Sequence, residues 1–244
     1  TNRFSYSCDL RKAPGKNETV LGRSGGSGVI LDDWYASIAD SSGSSAFQLD
    51  SFLNDLRKKG ALPKNNPSSD AKGVFQTDTG ELRMETVRNY LQVDTPRLQG
   101  ICAEAGSRAG LSDFEVRKMT VRGNVALASI DGTLPIREAK RLLLVVATNV
   151  LQNNMAFEDP EMRFMLKLGD LPLLVQTGIF DVAFRNRNAA AMKAYALGMD
   201  GKRLAELPLR KNGDRVELLL DTAALPSGPA LYFEFVEHGK EFGR

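Results

Sequence analysis

The chain has 244 residues, of which 32 are Lys or Arg and 30 are Asp or Glu, so its formal net charge is +2 with the single His neutral. It is long enough to bury a core without a metal or a disulfide, and its interleaved charges form no basic stripe of the kind that nucleic-acid-binding domains carry. The longest apolar run, residues 142–147, is far shorter than the roughly 18–20 residues that span a bilayer. We therefore expect a globular protein that binds neither nucleic acid nor a membrane.

The chain begins Thr1-Asn-Arg-Phe, without an initiator methionine or an apolar leader. A secreted or periplasmic protein after cleavage starts in this way, and so does a piece of a longer protein. Of the two cysteines, Cys8 and Cys102 each lie in an apparent strand, which favours two buried free thiols over a disulfide. One histidine and two cysteines give no zinc-ligand spacing, so we expect no metal and no cofactor.

In chain order, the first predicted elements are a strand and a helix. Residues 3–8 alternate apolar and polar side chains, as a half-buried strand does. In residues 46–59, apolar side chains recur at i, i+3, i+4 and i+7 from Leu49, basic residues follow, and Gly60 ends the segment. This spacing predicts one amphipathic helix near the N-terminus, and the Pro-, Asn- and Ser-rich residues 61–73 predict a linker or long loop.

From residue 73 onward, short strand-like segments alternate with turn signals such as Asp131-Gly132 and Asn212-Gly213. The predicted strands cover residues 73–77, 82–86, 90–93, 98–103, 114–121, 125–130, 141–148, 162–168, 173–176, 179–184, 192–197, 216–220 and 230–236. Many short strands at this spacing predict a mainly β fold of antiparallel, sandwich-type sheets. We expect a large region over residues 1–176 and a smaller antiparallel β module over residues 177–244.

Four motifs follow one another in the middle of the chain. They are TDTGE at residues 77–81, VDTPRLQ at 93–99, ASIDG at 128–132 and PIREAKRLL at 135–143. Together they resemble the β-rich region that lies carboxyl-terminal to the (β/α)-barrel of large bacterial glycoside hydrolase-like proteins. The resemblance covers about residues 70–160; Asn153-Asn-Met155 replaces the N-T-G-M of that group.

The resemblance implies a carbohydrate-active parent protein whose catalytic pair lies in an upstream barrel, and it transfers no catalytic residue to this chain. It therefore implies a non-catalytic accessory β-domain that supports the barrel or lines its substrate cleft. The barrel of the same protein would then be the partner, with polysaccharide as a further candidate.

A stand-alone carbohydrate-binding module is the first alternative. Trp34 and Tyr35, beside Asp32 and Asp33, are the only sequence cluster that combines aromatic faces for sugar stacking with carboxylates. The competing interpretation is that this cluster packs under the helix. Arg97 follows Pro96 and is either a structural corner or a clamp for a ligand carboxylate.

A serine hydrolase is the second alternative. Residues 22–26 have the spacing of a nucleophile elbow around Ser24, with His238 as the only possible base and Asp32 or Asp33 to orient it. However, Gly25-Gly26-Ser27-Gly28 disfavours the helix that must follow such a serine, so a turn is favoured.

A hydrolase with paired carboxylates would need two acidic side chains across a cleft. Asp78, Glu81, Asp94 and Asp131 lie beside predicted turns. Capping of those turns, or simple solvation, is the competing interpretation for each of them.

Overall fold

The computed structural model describes residues 10–12, 19–21, 49–159 and 162–237. Over these residues the fold is mainly β, with antiparallel sheets and a single α-helix near the N-terminal end, which confirms the predicted fold class. The chain divides into two compact units, residues 1–95 and residues 96–244. The strand predicted at residues 3–8 lies outside the described residues.

The described residues of the first unit form the helix and five short strands. These elements are β1 (Leu10–Lys12), β2 (Thr19–Leu21), α1 (Leu49–Lys58), β3 (Val74–Gln76), β4 (Leu82–Glu85) and β5 (Tyr90–Asp94). β1 pairs with β2, while β3, β4 and β5 form an antiparallel meander. The helix buries Leu53 and Leu56, as its apolar spacing predicts.

The loop after α1 is held in place by buried polar groups. Asn66 donates through Nδ2 to the carbonyls of Gln76 and Thr77, at 3.0 and 3.1 Å. Asp50 in the first turn of α1 accepts the N–H groups of Asp70 and Ala71. The segment predicted as a linker is therefore a loop tied to α1 and β3.

The second unit contains fifteen strands. They are β6 (Leu98–Ala103), β7 (Ala109–Gly110), β8 (Phe114–Met119), β9 (Gly123–Ser129), β10 (Arg141–Ala147), β11 (Val150–Asn153), β12 (Ala156–Phe157), β13 (Met165–Lys167), β14 (Asp170–Val175), β15 (Ile179–Arg185), β16 (Met192–Leu197), β17 (Arg203–Leu207), β18 (Arg210–Asn212), β19 (Arg215–Asp221) and β20 (Tyr232–Glu237). Six of them lie side by side in the order β17-β16-β20-β10-β9-β6, and five form a sheet in the order β18-β19-β15-β8-β7.

These two layers pack face to face as a β-sandwich. In β10, Leu142, Leu144 and Val146 are fully buried while the residues between them are partly exposed, because successive side chains of a strand point to opposite faces. Phe184 of β15 contacts Phe235 of β20 across the core. Strand alternation thus builds the interior from both layers.

The strands after residue 177 pair with earlier strands as well as with one another. β15 lies between β8 and β19, and β20 lies between β10 and β16. The segment that the sequence groups as residues 177–244 therefore contributes strands to both layers of the sandwich.

Four remaining strands form a separate hairpin. β11 pairs with β14 and β12 pairs with β13, and Gln176 closes the base by donating its N–H to the Asn149 carbonyl at 2.8 Å. Within the described chain, these four strands pair only with one another. We call this hairpin, residues 149–159 and 162–176, the arm.

Candidate functional site

Most of the residues that the sequence proposes for a site lie outside the described residues. They are Ser24, Asp32, Asp33, Trp34, Tyr35 and His238. Cys8, predicted only as a buried free thiol, also lies outside the described residues. The proposed sugar-stacking cluster and the proposed serine–histidine pair therefore stay predictions. Cys102, in β6, is a free and partly exposed thiol.

Arg97 is exposed and lies at a corner held by backbone hydrogen bonds. The Pro96 carbonyl accepts the N–H of Ile136, and the Arg97 carbonyl accepts the N–H of Ser129, both at 2.8 Å. These bonds join the VDTPRLQ motif to the ASIDG and PIREAKRLL motifs.

Asp78 and Asp131, two of the four acidic residues that lie beside turns, bind backbone. Asp78 accepts the N–H of Thr79 at 3.0 Å, and Asp131 accepts that of Lys140 at 2.9 Å. Such side-chain-to-backbone bonds are the ordinary role of aspartate in turns. The Glu81 carboxylate accepts the Thr79 hydroxyl at 3.3 Å, so it too is engaged within its own turn.

A group of five charged side chains lies on the outer face of the five-stranded sheet that contains β8, β15 and β19. Arg117 of β8 donates to Asp181 of β15 (Nη2–Oδ1, 2.6 Å) and to Glu217 of β19 (Nη1–Oε1, 2.8 Å). Arg215 donates to Glu217 (Nε–Oε1, 3.0 Å) and binds Glu115 through both terminal nitrogens. We call these five residues the charged face.

The ion pairs of the charged face stabilise the ionised form of each partner. Hydrogen bonds from Arg215 hold the pKa of Glu115 below its ordinary value, and those from Arg117 and Arg215 do the same for the pKa of Glu217. The two carboxylates that bind Arg117 raise its pKa in return. Glu115 and Glu217 therefore stay ionised, and Arg117 and Arg215 stay protonated, near neutral pH.

A shallow depression adjoins the charged face. Its volume is about 110 Å³, and Asp113, Glu115, Arg185 and Arg215 contribute its polar rim. Binding pockets for small molecules usually measure roughly 300–1,000 Å³, so this depression has room only for a few waters or a small ion. Phe184 lines it but is buried in the core, and it offers no open ring for a sugar.

A second charged cluster lies on the six-strand layer. Glu234 is almost fully buried and accepts hydrogen bonds from Arg141 (2.5 Å) and Arg203 (2.6 Å). The Arg203 guanidinium also lies 4.5 Å from the ring centre of Tyr195. Burial raises the pKa of Glu234, but the two arginines lower it more, so the carboxylate stays ionised. This cluster links side chains of four strands, β10, β16, β17 and β20, and so stabilises the six-strand layer.

Asn186 is a fully buried polar residue that sequence reasoning missed. Its Nδ2 donates to the carbonyls of Ile136 (2.6 Å) and Ala139 (2.8 Å), and its Oδ1 accepts the N–H of Asn188 (2.7 Å). It therefore anchors the loop formed by the PIREAKRLL motif. The sequence carried no signal for it, whereas the charged face was signalled by opposite charges two residues apart, in Glu115/Arg117 and Arg215/Glu217.

No protein-family model, curated protein or solved structure matches this chain. Within the described residues, no group of three or more His, Cys, Asp or Glu side chains could hold a metal ion. The helix that the structure describes is too short to cross a bilayer.

Proposed function

We propose that this chain is a non-catalytic accessory β-domain of a carbohydrate-active, glycoside hydrolase-like protein. In this role it supports an upstream barrel or lines that barrel's substrate cleft. The order of the four motifs supports the proposal, as does the β-sandwich that contains three of them.

The positions of the motifs fit a scaffold. TDTGE forms the turn between β3 and β4, and the other three motifs meet through backbone bonds around the loop of residues 130–140. Ile136 and Ala139 of that loop are fully buried. The four motifs thus form loops and contribute apolar side chains to the core, and this arrangement supports a scaffold role.

The observation that carries the proposal is the state of the carboxyl groups. Wherever the pKa of a described carboxyl group shifts, it shifts downward, as in Asp50, Glu115, Asp200, Glu217 and Glu234. Glycoside hydrolysis by paired carboxylates needs one acid whose pKa is raised so that it can protonate the leaving oxygen. These five carboxyl groups are therefore ionised near neutral pH and do not supply such an acid.

The proposal is tested in two steps. In the first, the 244-residue chain is assayed against chromogenic glycosides and esters and on a glycan array, and we expect neither turnover nor binding. Turnover by the chain alone would overturn the proposal. Retention on a polysaccharide that disappears with Trp34→Ala would establish the carbohydrate-binding alternative instead.

In the second step, the reading frame upstream of the codon for Thr1 is determined and the whole protein is expressed with and without this chain. We expect a barrel domain upstream, and we expect its glycosidase activity or soluble yield to fall at least tenfold when the chain is deleted. A reading frame that starts within a few residues of Thr1 would contradict the proposal directly.

A further inference from the structure

The arm exposes more apolar surface than any other described part of the chain. Eight large apolar side chains on it are 44–78 % exposed. They are Met162, Phe164, Met165, Leu166, Leu168, Leu171, Leu173 and Leu174. Isolated exposed leucines are ordinary, but eight large exposed apolar side chains within residues 162–174 of one hairpin mark an interaction surface.

Both faces of the arm carry these side chains. Met165 and Leu166 are neighbours in β13, and Leu173 and Leu174 are neighbours in β14, so each pair points to opposite faces. A two-stranded hairpin on its own is at best marginally stable in water. Apolar side chains on both faces are typical of a hairpin whose two faces are buried against protein.

The size of the patch fits a protein interface. A large aromatic side chain presents roughly 150–250 Å²; with this as an upper value for Leu and Met, eight side chains that are on average about half exposed present up to about 900 Å² over the two faces of the arm. A standard interface buries about 800 Å² on each partner. The arm alone can therefore supply one side of a stable interface.

The charges of the arm favour a second copy of the chain over a lipid surface. Arg163 pairs with Asp159 (3.1 Å), and Lys167 lies 3.9 Å from Asp170, so the cations of the arm are neutralised within it. Segments that bind membrane surfaces usually present unpaired basic residues to anionic lipid. A surface with balanced charges does not repel its own copy across a two-fold axis.

We infer that the arm is a dimerisation element, through which two copies of this chain associate about a two-fold axis with each arm enclosed by the other copy. In a two-fold dimer the same patch serves both partners, and interfaces of homodimers are more apolar than those of transient complexes. A dimer of this kind buries both faces of the arm. The inference concerns oligomeric state and does not depend on the proposed accessory function.

The test is the mass of the 244-residue chain in solution, measured by sedimentation velocity and light scattering between 1 and 100 μM. We expect the mass of two 26.7-kDa chains. Leu166→Asp and Leu174→Asp each place a charge on a different part of the arm, and each should weaken the dimer roughly 30-fold, as the loss of a central interface residue does. Val87→Asp, at an 81 % exposed apolar site outside the arm, is the matched control and should leave the dimer intact.

Circular dichroism and amide hydrogen exchange show whether the variants still fold. In the wild type, exchange over residues 162–176 should slow as the concentration rises and the dimer forms. A chain that is monomeric at 100 μM overturns the inference, and so does a dimer that survives both arm substitutions. Binding of a monomeric chain to phosphatidylserine-containing vesicles, abolished by the arm substitutions, would assign the arm to a membrane and also overturn it.

Discussion

Phe184 and Phe235 meet edge to face across the core of the sandwich, with ring centres 4.8 Å apart and ring planes at 76°. Phe184 belongs to the five-stranded sheet and Phe235 to the facing layer, and both side chains are almost fully buried. This contact links the two layers directly, and aromatic pairs in this geometry contribute beyond the area that they bury.

Replacing both phenylalanines should reveal that coupling. Phe184→Leu and Phe235→Leu should each lower the free energy of unfolding by about 1–3 kcal/mol. The double variant should lose about 0.5–1.5 kcal/mol less than the sum, since the pair interaction is lost only once. Urea unfolding of the four proteins measures the cycle, and strict additivity would show that the rings do not interact.

Asn186 should be one of the most sensitive polar positions in the chain. Asn186→Asp replaces the donor group that serves Ile136 and Ala139 by an acceptor and places a charge in the core. We expect a loss of at least about 3 kcal/mol, because two buried carbonyls lose their donor and a carboxylate is buried unpaired.

Asn188→Ala is the matched control for that substitution. Asn188 is only partly buried, and its side chain donates one hydrogen bond, at 3.1 Å, to the Glu138 carbonyl. Its loss should cost about 1 kcal/mol. Equal losses for the two variants in thermal or urea unfolding would show that Asn186 does not anchor the loop.

Strand positions could be predicted from the sequence where alternation and turn residues coincide. The predicted bounds of β6 and β16 are those of the structure. β16 (MKAYAL) alternates buried and partly exposed side chains, whereas β6 (LQGICA) is identified by the turn residues that flank it. β17 and β18 were missed, since β18 (RKN) has no apolar residue and the charged residues of β17 (RLAEL) do not alternate with its apolar ones. Strands at sheet edges tolerate such residues, and these remove the alternation that identifies a strand.

Pairing over long distances could not be predicted. β20 inserts between β10 and β16, and nothing in the alternation of a strand identifies its neighbours. The burial and the hydrogen bonds of Asn186 could not be predicted for the same reason. Asn186 lies in a stretch (RNRN) that has the composition of a loop, and its carbonyl partners are about 50 residues away. In the arm, residues 162–168 and 173–176 were predicted as strands and β11 and β12 were not; the exposure of the arm depends on what packs against it.

The close approach of β6 to β9 makes Gly100 a strict requirement. A Cβ at Gly100 would lie 2.5 Å from the Cβ of Ala126 and 2.6 Å from the carbonyl oxygen of Val125. Gly100→Ala should therefore force the strands apart and lower the free energy of unfolding by about 1–3 kcal/mol, as overpacking does. Gly110→Ala is the control, since a Cβ there meets nothing within 4 Å. A Gly100→Ala variant as stable as the wild type in calorimetry would show that β6 and β9 are not packed this closely.

The charged face should make stability depend on pH in the acidic range. The pKa of Glu217 is lowered in the folded protein, chiefly by the hydrogen bond from Arg117. A lowered pKa means that the folded state favours the ionised carboxylate. Its contribution is therefore present above the unfolded-state pKa of about 4.3 and is lost as the pH falls through the lower folded-state value.

Glu217→Gln tests this pH dependence. The variant should be less stable than the wild type at pH 7, by about 1 kcal/mol or less because the ion pairs are partly exposed. The difference should shrink as the pH falls below about 4, where the wild-type carboxylate also becomes neutral. Glu206→Gln, which breaks a single exposed pair with Lys193 (3.1 Å), should show a smaller difference throughout. Thermal unfolding from pH 3 to pH 7 measures all three proteins, and a Glu217→Gln deficit that stays constant over this range would show that the ionised carboxylate does not stabilise the sheet.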